Sequence, residues 1–159
     1  MTRRYIYFAG PITDLTYDEA NDWRAKWTHE YRELGLTALS PLRGKEHLRD
    51  KGVLAGVFDE GDAAVERDCF DIRRSEIVLA NFEDAERVSI GTCMEIAYAW
   101  SIGRHVVTVL PGATAASFAG LGINTSRAAN PHDHIFVTHM SSVVVPSMDA
   151  AFAWIANLL

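Results

Sequence analysis

One glutamate occupies a position where a carboxylate would serve as a nucleophile. Glu95 ends the segment Ser89–Glu95, SIGTCME, which opens a predicted helix after a buried strand and a loop. A helix dipole favours an ionised carboxylate near the helix N-terminus, and the ionised form is the one that attacks an electrophilic carbon. Thr92 and Glu95 also fit the capping-box pattern, in which both residues only stabilise the start of a helix. The spacing alone favours the cap, whereas Gly91 and the position beyond a strand favour catalysis.

A pair of aspartates lies on the preceding predicted helix. Asp68 and Asp71 are three residues apart and therefore share a helix face. A carboxyl group there would protonate a leaving group if burial raised its pKa. Three nearby arginines, Arg67, Arg73 and Arg74, favour instead a solvated helix face held by ion pairs. The pattern leaves open which aspartate points inward.

Two further segments carry small or polar residues that would suit a ligand. Gly10, Pro11 and Ile12 follow the first predicted strand, where small residues let a ligand approach the backbone, although an ordinary turn explains them as well. The turn is not G-x-G-x-x-G, so the dinucleotide fingerprint is absent. The segment Asn130–His134, NPHDH, has no further ligand at a metal-site spacing, so a polar loop is predicted there and no metal.

Alternating strands and helices must position these residues. Short apolar runs rich in β-branched residues predict strands at 5–9, 36–39, 76–80 and 106–110, with weaker candidates at 135–138 and 143–145. Apolar residues at helical spacing predict helices at 16–34, 62–75, 90–102 and 147–159. The polar stretch 43–61, which contains glycines, is a predicted mobile loop and a candidate for closing over a substrate, and 111–133 is a second predicted loop.

This order of elements predicts an α/β fold in a single domain over residues 1–159. The expected architecture is flavodoxin-like or Rossmann-like, a doubly wound sheet of about five mostly parallel strands flanked by helices. Such sheets bind ligands beyond the carboxyl ends of their strands. Three of the four main strands are followed by the segments described above. We therefore expect the polar side chains of these segments to lie close together at the carboxyl edge of the sheet.

The composition narrows the class of protein. The chain has 159 residues, 48% of them hydrophobic and 23% charged, with a formal net charge of −6, which indicates a globular protein and argues against a binder of the nucleic-acid backbone. No run reaches the roughly 18 apolar residues of a membrane span, and the N-terminal run is too short for a signal peptide, so a cytoplasmic protein is predicted. Cys69 and Cys93 are predicted to be reduced thiols in the core.

Taken in order, four segments resemble the nucleoside 2-deoxyribosyltransferase family. They are IYFAGPI at 6–12, ERD at 66–68, SEIVLA at 75–80 and GTCMEIAYA at 91–99. The similarity continues more weakly to the last helix, and its specificity lies in the ordered set rather than in any one segment. The resemblance implies an enzyme that exchanges nucleobases on 2'-deoxyribonucleosides, with a covalent deoxyribosyl intermediate on the glutamate, ping-pong kinetics and net retention.

The resemblance gives roles to three residues in particular. Glu95 matches the glutamate that attacks C1' of the sugar and expels the base. Asp68, better than Asp71, matches the aspartate that exchanges a proton with the nucleobase. Tyr7 matches the first-strand tyrosine that orients the nucleophile through a hydrogen bond. The expected substrate contacts are Gly10, Pro11, Ile12, Ser89, Gly91, Met94, Asn130 and Asp133. Neither a metal nor a cofactor is expected.

The residue at position 89 differs between two groups of enzymes that this chain resembles. The best-known transferases carry an aspartate there that touches the sugar hydroxyls, whereas related deoxynucleoside monophosphate N-glycosidases carry a serine that helps hold the 5'-phosphate; this chain has Ser89. Those hydrolases follow the first strand with an Arg- and Gly-rich phosphate loop, where this chain has Ile12-Thr13-Asp14.

Three hypotheses follow for the function. Base exchange is the leading one. A hydrolase of deoxynucleoside monophosphates is the close alternative, with Arg43 reaching the site from another strand end. A nucleotide-sensing module without catalysis is the third, although the joint presence of Tyr7, Asp68 and Glu95 speaks against it.

The resemblance also implies a homo-oligomer, a dimer or larger, whose active sites are shared between subunits. Asn130–His134 is the segment expected to complete a neighbour's site at the 5' end of the sugar. The other expected partners are small molecules, deoxynucleosides and free nucleobases. Neither a nucleic acid nor a membrane is expected as a partner.

Overall fold

Five parallel strands form one sheet in the order β2-β1-β3-β4-β5. The structure is a computed structural model that describes residues 3–54, 61–112 and 130–159. The strands are β1 (Arg4–Ala9), β2 (Leu36–Leu39), β3 (Ile77–Asn81), β4 (His105–Val109) and β5 (Val143–Val145). The helices are α1 (Tyr17–Glu33), α2 (Gly61–Arg74), α3 (Ile90–Ser101), α4 (Ile135–His139) and α5 (Met148–Leu158). The predicted α/β class and parallel sheet are confirmed, and the strand order is that of flavodoxin-like sheets.

The alternation of side chains along β1 supplies both faces of the sheet. Ile6 and Phe8 pack in a cluster with residues of α1 and α5, while Tyr7 and Ala9 pack on the other face with residues of α2 and α3. Successive strand residues point to opposite faces, so this alternation follows from the backbone alone. It has a functional consequence, because it places the Tyr7 ring on the same side of the sheet as α3.

The segment predicted as a strand at 135–138 is instead the short helix α4. His134 caps this helix, since its Nδ1 accepts a hydrogen bond from the Phe136 backbone N–H at 3.3 Å. Ile135 and Phe136 are exposed while Val137 is buried, so the run covers one helical turn instead of alternating across a sheet. The strand predicted at 143–145 is present as β5 and pairs with β4.

The stretch 43–61 is folded over much of its length rather than being a structureless loop. Glu46–Lys51 forms a 3-10 helix, and Leu48 and Leu54 are buried in a small cluster with Tyr17. The prediction missed these contacts because two isolated leucines show no period. Residues 55–60 and 113–129, to which the loop predictions also extend, lie outside the described residues.

Two smaller expectations concern the cysteines and the membrane. Cys69 and Cys93 are free thiols, and both are half-buried rather than fully buried in the core. Among the helices that the structure describes, none has the length and apolar character needed to span a bilayer.

Candidate active site

A cavity of about 650 Å³ opens at the carboxyl ends of β1 and β3. These strands are neighbours in the sheet, but the chain leaves β1 toward α1 on one face and β3 toward α3 on the other. A crevice is expected where the connections diverge in this way. The walls come from the turn after β1, from α2 and from the start of α3, and they include Gly10, Pro11, Ile12, Asp68, Ser89, Gly91 and Glu95.

Glu95 is held by the tyrosine of β1. The Tyr7 hydroxyl donates a hydrogen bond of 2.6 Å to Oε1 of Glu95, and the tyrosine is fully buried. The capping-box interpretation of Thr92 and Glu95 is wrong, because the N-cap of α3 is Ser89 and Thr92 lies within the helix. A carboxylate at the cavity wall, oriented by a buried hydroxyl, is therefore what this part of the site presents.

Burial sets the charge state of Glu95. Loss of hydration is the largest influence on this carboxyl and raises its pKa. The hydrogen bond from Tyr7 lowers the pKa, the nearby negative charge of Asp68 raises it and the positive charge of Arg24 lowers it, and the net result is a pKa of about 8. This shift is opposite in direction to the one that the helix dipole would produce. Glu95 lies in the second turn of α3, where the dipole effect has faded and desolvation prevails.

Asp68 lines the cavity and Asp71 does not. The Asp68 carboxyl is partly buried, which raises its pKa, while the positive charges of Arg67 and Lys45 act against this rise. Asp71 is fully buried and forms ion pairs with Arg43 and Arg74. Arg43 is therefore engaged in an ion pair with Asp71. It is not among the described lining residues, contrary to the hypothesis that it reaches the site.

Three predicted contacts are not among the described residues that line the cavity. Met94 is 66% exposed on the outer side of α3. Asn130 braces the loop after β3, since its Nδ2 donates to the Phe82 carbonyl at 3.1 Å. Asp133 is exposed next to the capping histidine of α4.

Arg24 is a site residue that the sequence analysis missed. It is 1% exposed, and its Nη2 donates to the Gly10 carbonyl at 2.9 Å beneath the turn that lines the cavity. Its guanidinium lies 4.3 Å from the centre of the Trp23 ring. A signal existed, because Arg24 falls on the same helical face as the buried Ala20 and Trp27. It contributes a buried positive charge near the two carboxyl groups.

His132, which lies in the segment expected to complete a neighbour's site, instead anchors the start of α3 in its own chain. Its Nε2 accepts a hydrogen bond of 2.8 Å from the Ser89 backbone N–H, and its ring stacks on Phe82 with centres 3.8 Å apart. Burial lowers the pKa of this histidine to about 4, so the ring is neutral and carries its hydrogen on Nδ1, which faces Asn130 Oδ1 at 3.2 Å. In the described part of the chain, no group of three or more His, Cys, Asp or Glu side chains is arranged to hold a metal ion.

Gly10 leaves no room for a larger residue under the cavity. A Cβ at this position would lie 2.9 Å from Cζ2 of Trp23, 3.1 Å from Nη2 of Arg24 and 3.2 Å from the Asn81 carbonyl oxygen. We expect Gly10→Ala to lower the free energy of unfolding by about 1–3 kcal/mol, because the packed ring and backbone would have to shift. Urea unfolding followed by circular dichroism measures this loss.

Gly91 provides the matched control for that substitution. A Cβ at Gly91 meets nothing within 4 Å, and the residue lies in the first turn of a helix, which alanine favours. Gly91→Ala should leave the stability unchanged or raise it by up to about 1 kcal/mol. Equal losses of stability in the two variants would contradict the packing described for Gly10.

Comparison with known proteins places this site in a family context. Residues 6–133 match the family model described as nucleoside 2-deoxyribosyltransferase. No curated protein matches the chain by sequence.

Three solved structures are similar in fold. A 2-deoxyribosyltransferase from Leishmania mexicana has a TM-score of 0.65 and 17% identity, with 97% of each chain covered. A 2-deoxyribosyltransferase from Bacillus psychrosaccharolyticus has a TM-score of 0.61 and 18% identity, with 96% of this chain and 90% of that chain covered. A CMP N-glycosidase from Clostridium botulinum has a TM-score of 0.54 and 13% identity, covering 98% of this chain and all of its own.

Proposed function

The chain belongs to the nucleoside 2-deoxyribosyltransferase family, and from this premise we propose that it transfers 2'-deoxyribose from one nucleobase to another. The observation that carries the proposal is the hydrogen bond of 2.6 Å between Tyr7 and Glu95 in a cavity that Asp68 also lines. A nucleophile, the group that orients it and a proton donor are the parts that displacement at an anomeric carbon needs.

In the first half of the proposed reaction, the Glu95 carboxylate attacks C1' of the sugar. A bond forms between a carboxylate oxygen and C1', and the bond from C1' to the base nitrogen breaks. The electron pair of that bond goes to the base, which takes the proton of the Asp68 carboxyl group. The products are a glycosyl ester on Glu95, a neutral free base and an ionised Asp68.

The second half reverses these steps with a different base. A ring nitrogen of the incoming base attacks C1', and Asp68 takes up the proton that this nitrogen loses. Glu95 departs as a carboxylate, so two displacements at one carbon restore the original configuration. Protein side chains supply the nucleophile and the proton donor in this scheme.

A hydrolase is the second candidate, and Ser89 is the observation that favours it. Ser89 lines the cavity at the N-terminus of α3, where a helix attracts an anionic group such as a phosphate. Water would then take the place of the second base and release the sugar phosphate. A nucleotide sensor remains the third candidate, but it would have no use for a nucleophile and a proton donor in one cavity.

Product analysis distinguishes the three candidates. The protein is incubated with deoxyinosine and free adenine, and separately with deoxyinosine 5'-monophosphate, and the products are separated by chromatography. Formation of deoxyadenosine is the result we expect. Release of base and sugar phosphate from the monophosphate alone would replace the transferase with the hydrolase, and tight nucleotide binding without turnover would support the sensor.

The proposed chemistry sets a pH dependence. In the reactive state Asp68 holds a proton and Glu95 holds none, so the two carboxyl groups together hold one proton. Gain of a second proton at low pH and loss of the last at high pH both stop the reaction. Because burial raises the pKa of Glu95 to about 8, we expect kcat/KM to decline above about pH 8.

Tyr7→Phe should move this alkaline decline to higher pH. The hydrogen bond from Tyr7 lowers the pKa of Glu95, so its removal raises that pKa and makes Glu95 hold the shared proton more tightly. Each unit of increase reduces the reactive fraction about tenfold, so kcat/KM at the optimum falls as well. Tyr5→Phe, on the same strand but outside the described cavity lining, is the control that should change neither quantity. An unshifted decline in Tyr7→Phe would argue against this role of the hydroxyl.

The proposal extends to the cellular location, the partners and the assembly of the enzyme. We place the activity in the cytoplasm and in nucleotide salvage, with deoxynucleosides and free nucleobases as the partners. The single domain is proposed to act as a homo-oligomer, a dimer or larger, in which Asn130 and Asp133 of one subunit and the exposed Met94 lie toward a neighbouring site. Light scattering together with activity measured across protein concentrations tests whether assembly and turnover are linked.

A further inference from the structure

An ion pair stands in the wall between two cavities. Arg87 Nη1 lies 2.9 Å from Asp14 Oδ2. Both residues line the active-site cavity, and both also line a neighbouring cavity of about 790 Å³. The side chains are 80% and 57% exposed, so their charges act on whatever enters from solution and are screened by salt.

The fold holds Asp14 in this place. Its backbone adopts a left-handed conformation with φ of 67°, which asparagine and aspartate tolerate better than most residues. Its N–H donates to the Leu54 carbonyl at 2.9 Å, so the turn after β1 is fastened to the segment that follows the 3-10 helix. The backbone of Asp14 is thus held by the fold, and its carboxylate is paired with Arg87.

Without Asp14, this end of the cavity would attract an anion. The first turn of α3 reads Ile90-Gly91-Thr92-Cys93, with no acidic residue to offset the positive end of the helix dipole. Among the described residues, Ser89 Oγ pairs with Thr92 Oγ1 at 2.8 Å rather than capping a backbone N–H. Arg87 adds a full positive charge, and the Asp14 carboxylate cancels it.

We propose that Asp14 excludes anionic substituents from the end of the site that receives the 5' position of the sugar, and so selects nucleosides over their 5'-monophosphates. The inference rests on the proposed function, in which the base meets Asp68 and C1' meets Glu95. The far end of the sugar is then left to the region of Arg87 and the start of α3.

Asp14→Asn removes the charge and keeps the shape and the left-handed backbone. The probes are 2'-deoxyribose 5-phosphate and 2'-deoxyribose, titrated into the intact protein by calorimetry at low ionic strength. We expect the variant to bind the phosphate about tenfold more tightly than the wild type, the size of effect that one nearby charge has at an exposed site. Binding of the uncharged sugar should not show this gain.

Asp18→Asn is the matched control, because Asp18 pairs with Arg49 on the surface and is not among the described lining residues. It changes the net charge equally and should not alter phosphate binding. Adding Arg87→Ala to Asp14→Asn should abolish the gain. An effect of Asp14→Asn no larger than that of Asp18→Asn would overturn the proposal.

Kinetic measurements distinguish the proposed role of Asp14 from the proposed function of the enzyme. In Asp14→Asn, the ratio of kcat/KM for deoxyinosine 5'-monophosphate to that for deoxyinosine should rise about tenfold. If phosphate binding increases but no variant turns over either substrate, the proposed function fails while Asp14 still excludes anions. If nucleosides are exchanged and neither the binding nor the ratio changes, the proposal for Asp14 fails alone.

Discussion

Replacing Glu95 with glutamine is expected to reduce kcat/KM for base exchange by roughly 10⁴-fold or more, since loss of a catalytic nucleophile leaves only substrate binding and the polarising groups. Glutamine keeps the size of the side chain, and its amide oxygen can still accept the hydrogen bond that Tyr7 donates to Oε1. The loss would therefore report the missing carboxylate and not a collapsed site. Steady-state kinetics with deoxyinosine and adenine measure it.

Glu66→Gln is the control for this substitution. Glu66 lies exposed on α2, outside the described cavity lining, so the variant loses the same charge without touching the site. It should retain activity close to that of the wild type. Turnover by Glu95→Gln within about tenfold of the wild type would exclude Glu95 as the nucleophile.

The Glu95→Gln variant should not lose stability. Folding raises the pKa of Glu95 from 4.5 to about 8, so the folded protein retains a proton that the unfolded chain releases. The contribution of Glu95 to the stability of the wild type therefore declines as the pH rises from about 4.5 to about 8. Glutamine has no such dependence, so at pH 8 its free energy of unfolding should equal or exceed that of the wild type.

Replacing Asp68 with asparagine is expected to lower kcat for nucleosides by roughly 10²- to 10⁴-fold, the usual contribution of a general acid. Asparagine cannot deliver the proton that the departing base needs. The pH profile should also change, because the reaction would no longer need a proton shared between two carboxyl groups. The residual activity should rise with pH as Glu95 ionises and should not decline above about pH 8.

The leaving group tests this role of Asp68 directly. In a 4-nitrophenyl 2-deoxyriboside the leaving group departs without a proton, so Asp68→Asn should affect its cleavage far less than it affects exchange on deoxyinosine. Glu66→Gln on the same helix again serves as the control. Equal losses on both substrates would show that Asp68 does something other than protonate the base.

The regular elements were predictable because their signals are local. The apolar run of β1 and the helical spacing along α1 each lie within a single element of the chain. The failure at α4 has the same origin, because a run such as Ile135–Thr138 is too short for its period to separate a helical turn from a strand. In the structure the capping contact of His134 and the backbone hydrogen bond from Thr138 N–H to the His134 carbonyl accompany the helical turn.

The site was predictable in its residue types and less so in its contacts. The hydrogen bond between Tyr7 and Glu95 was expected only from the family resemblance, because the two residues are 88 positions apart and their contact depends on which face of the sheet β1 presents to α3. The hydrogen bond from the Ser89 backbone N–H to His132 likewise joins distant segments, and no local sequence pattern near either residue predicts it. The upward shift in the pKa of Glu95 was not predicted, because a helix position is visible in the sequence, whereas the burial of a side chain is set by the whole fold.

The most direct test of the central claim is to look for the sugar on Glu95. The protein is mixed with deoxyinosine in the absence of an acceptor base, quenched with acid during turnover and digested, and the peptides are examined by mass spectrometry. We expect a 2-deoxyribosyl group on the peptide that carries Glu95 in the wild type and in Glu66→Gln, and none in Glu95→Gln. Sugar attached to a different residue, or base release by Glu95→Gln at the rate of the wild type, would contradict the account.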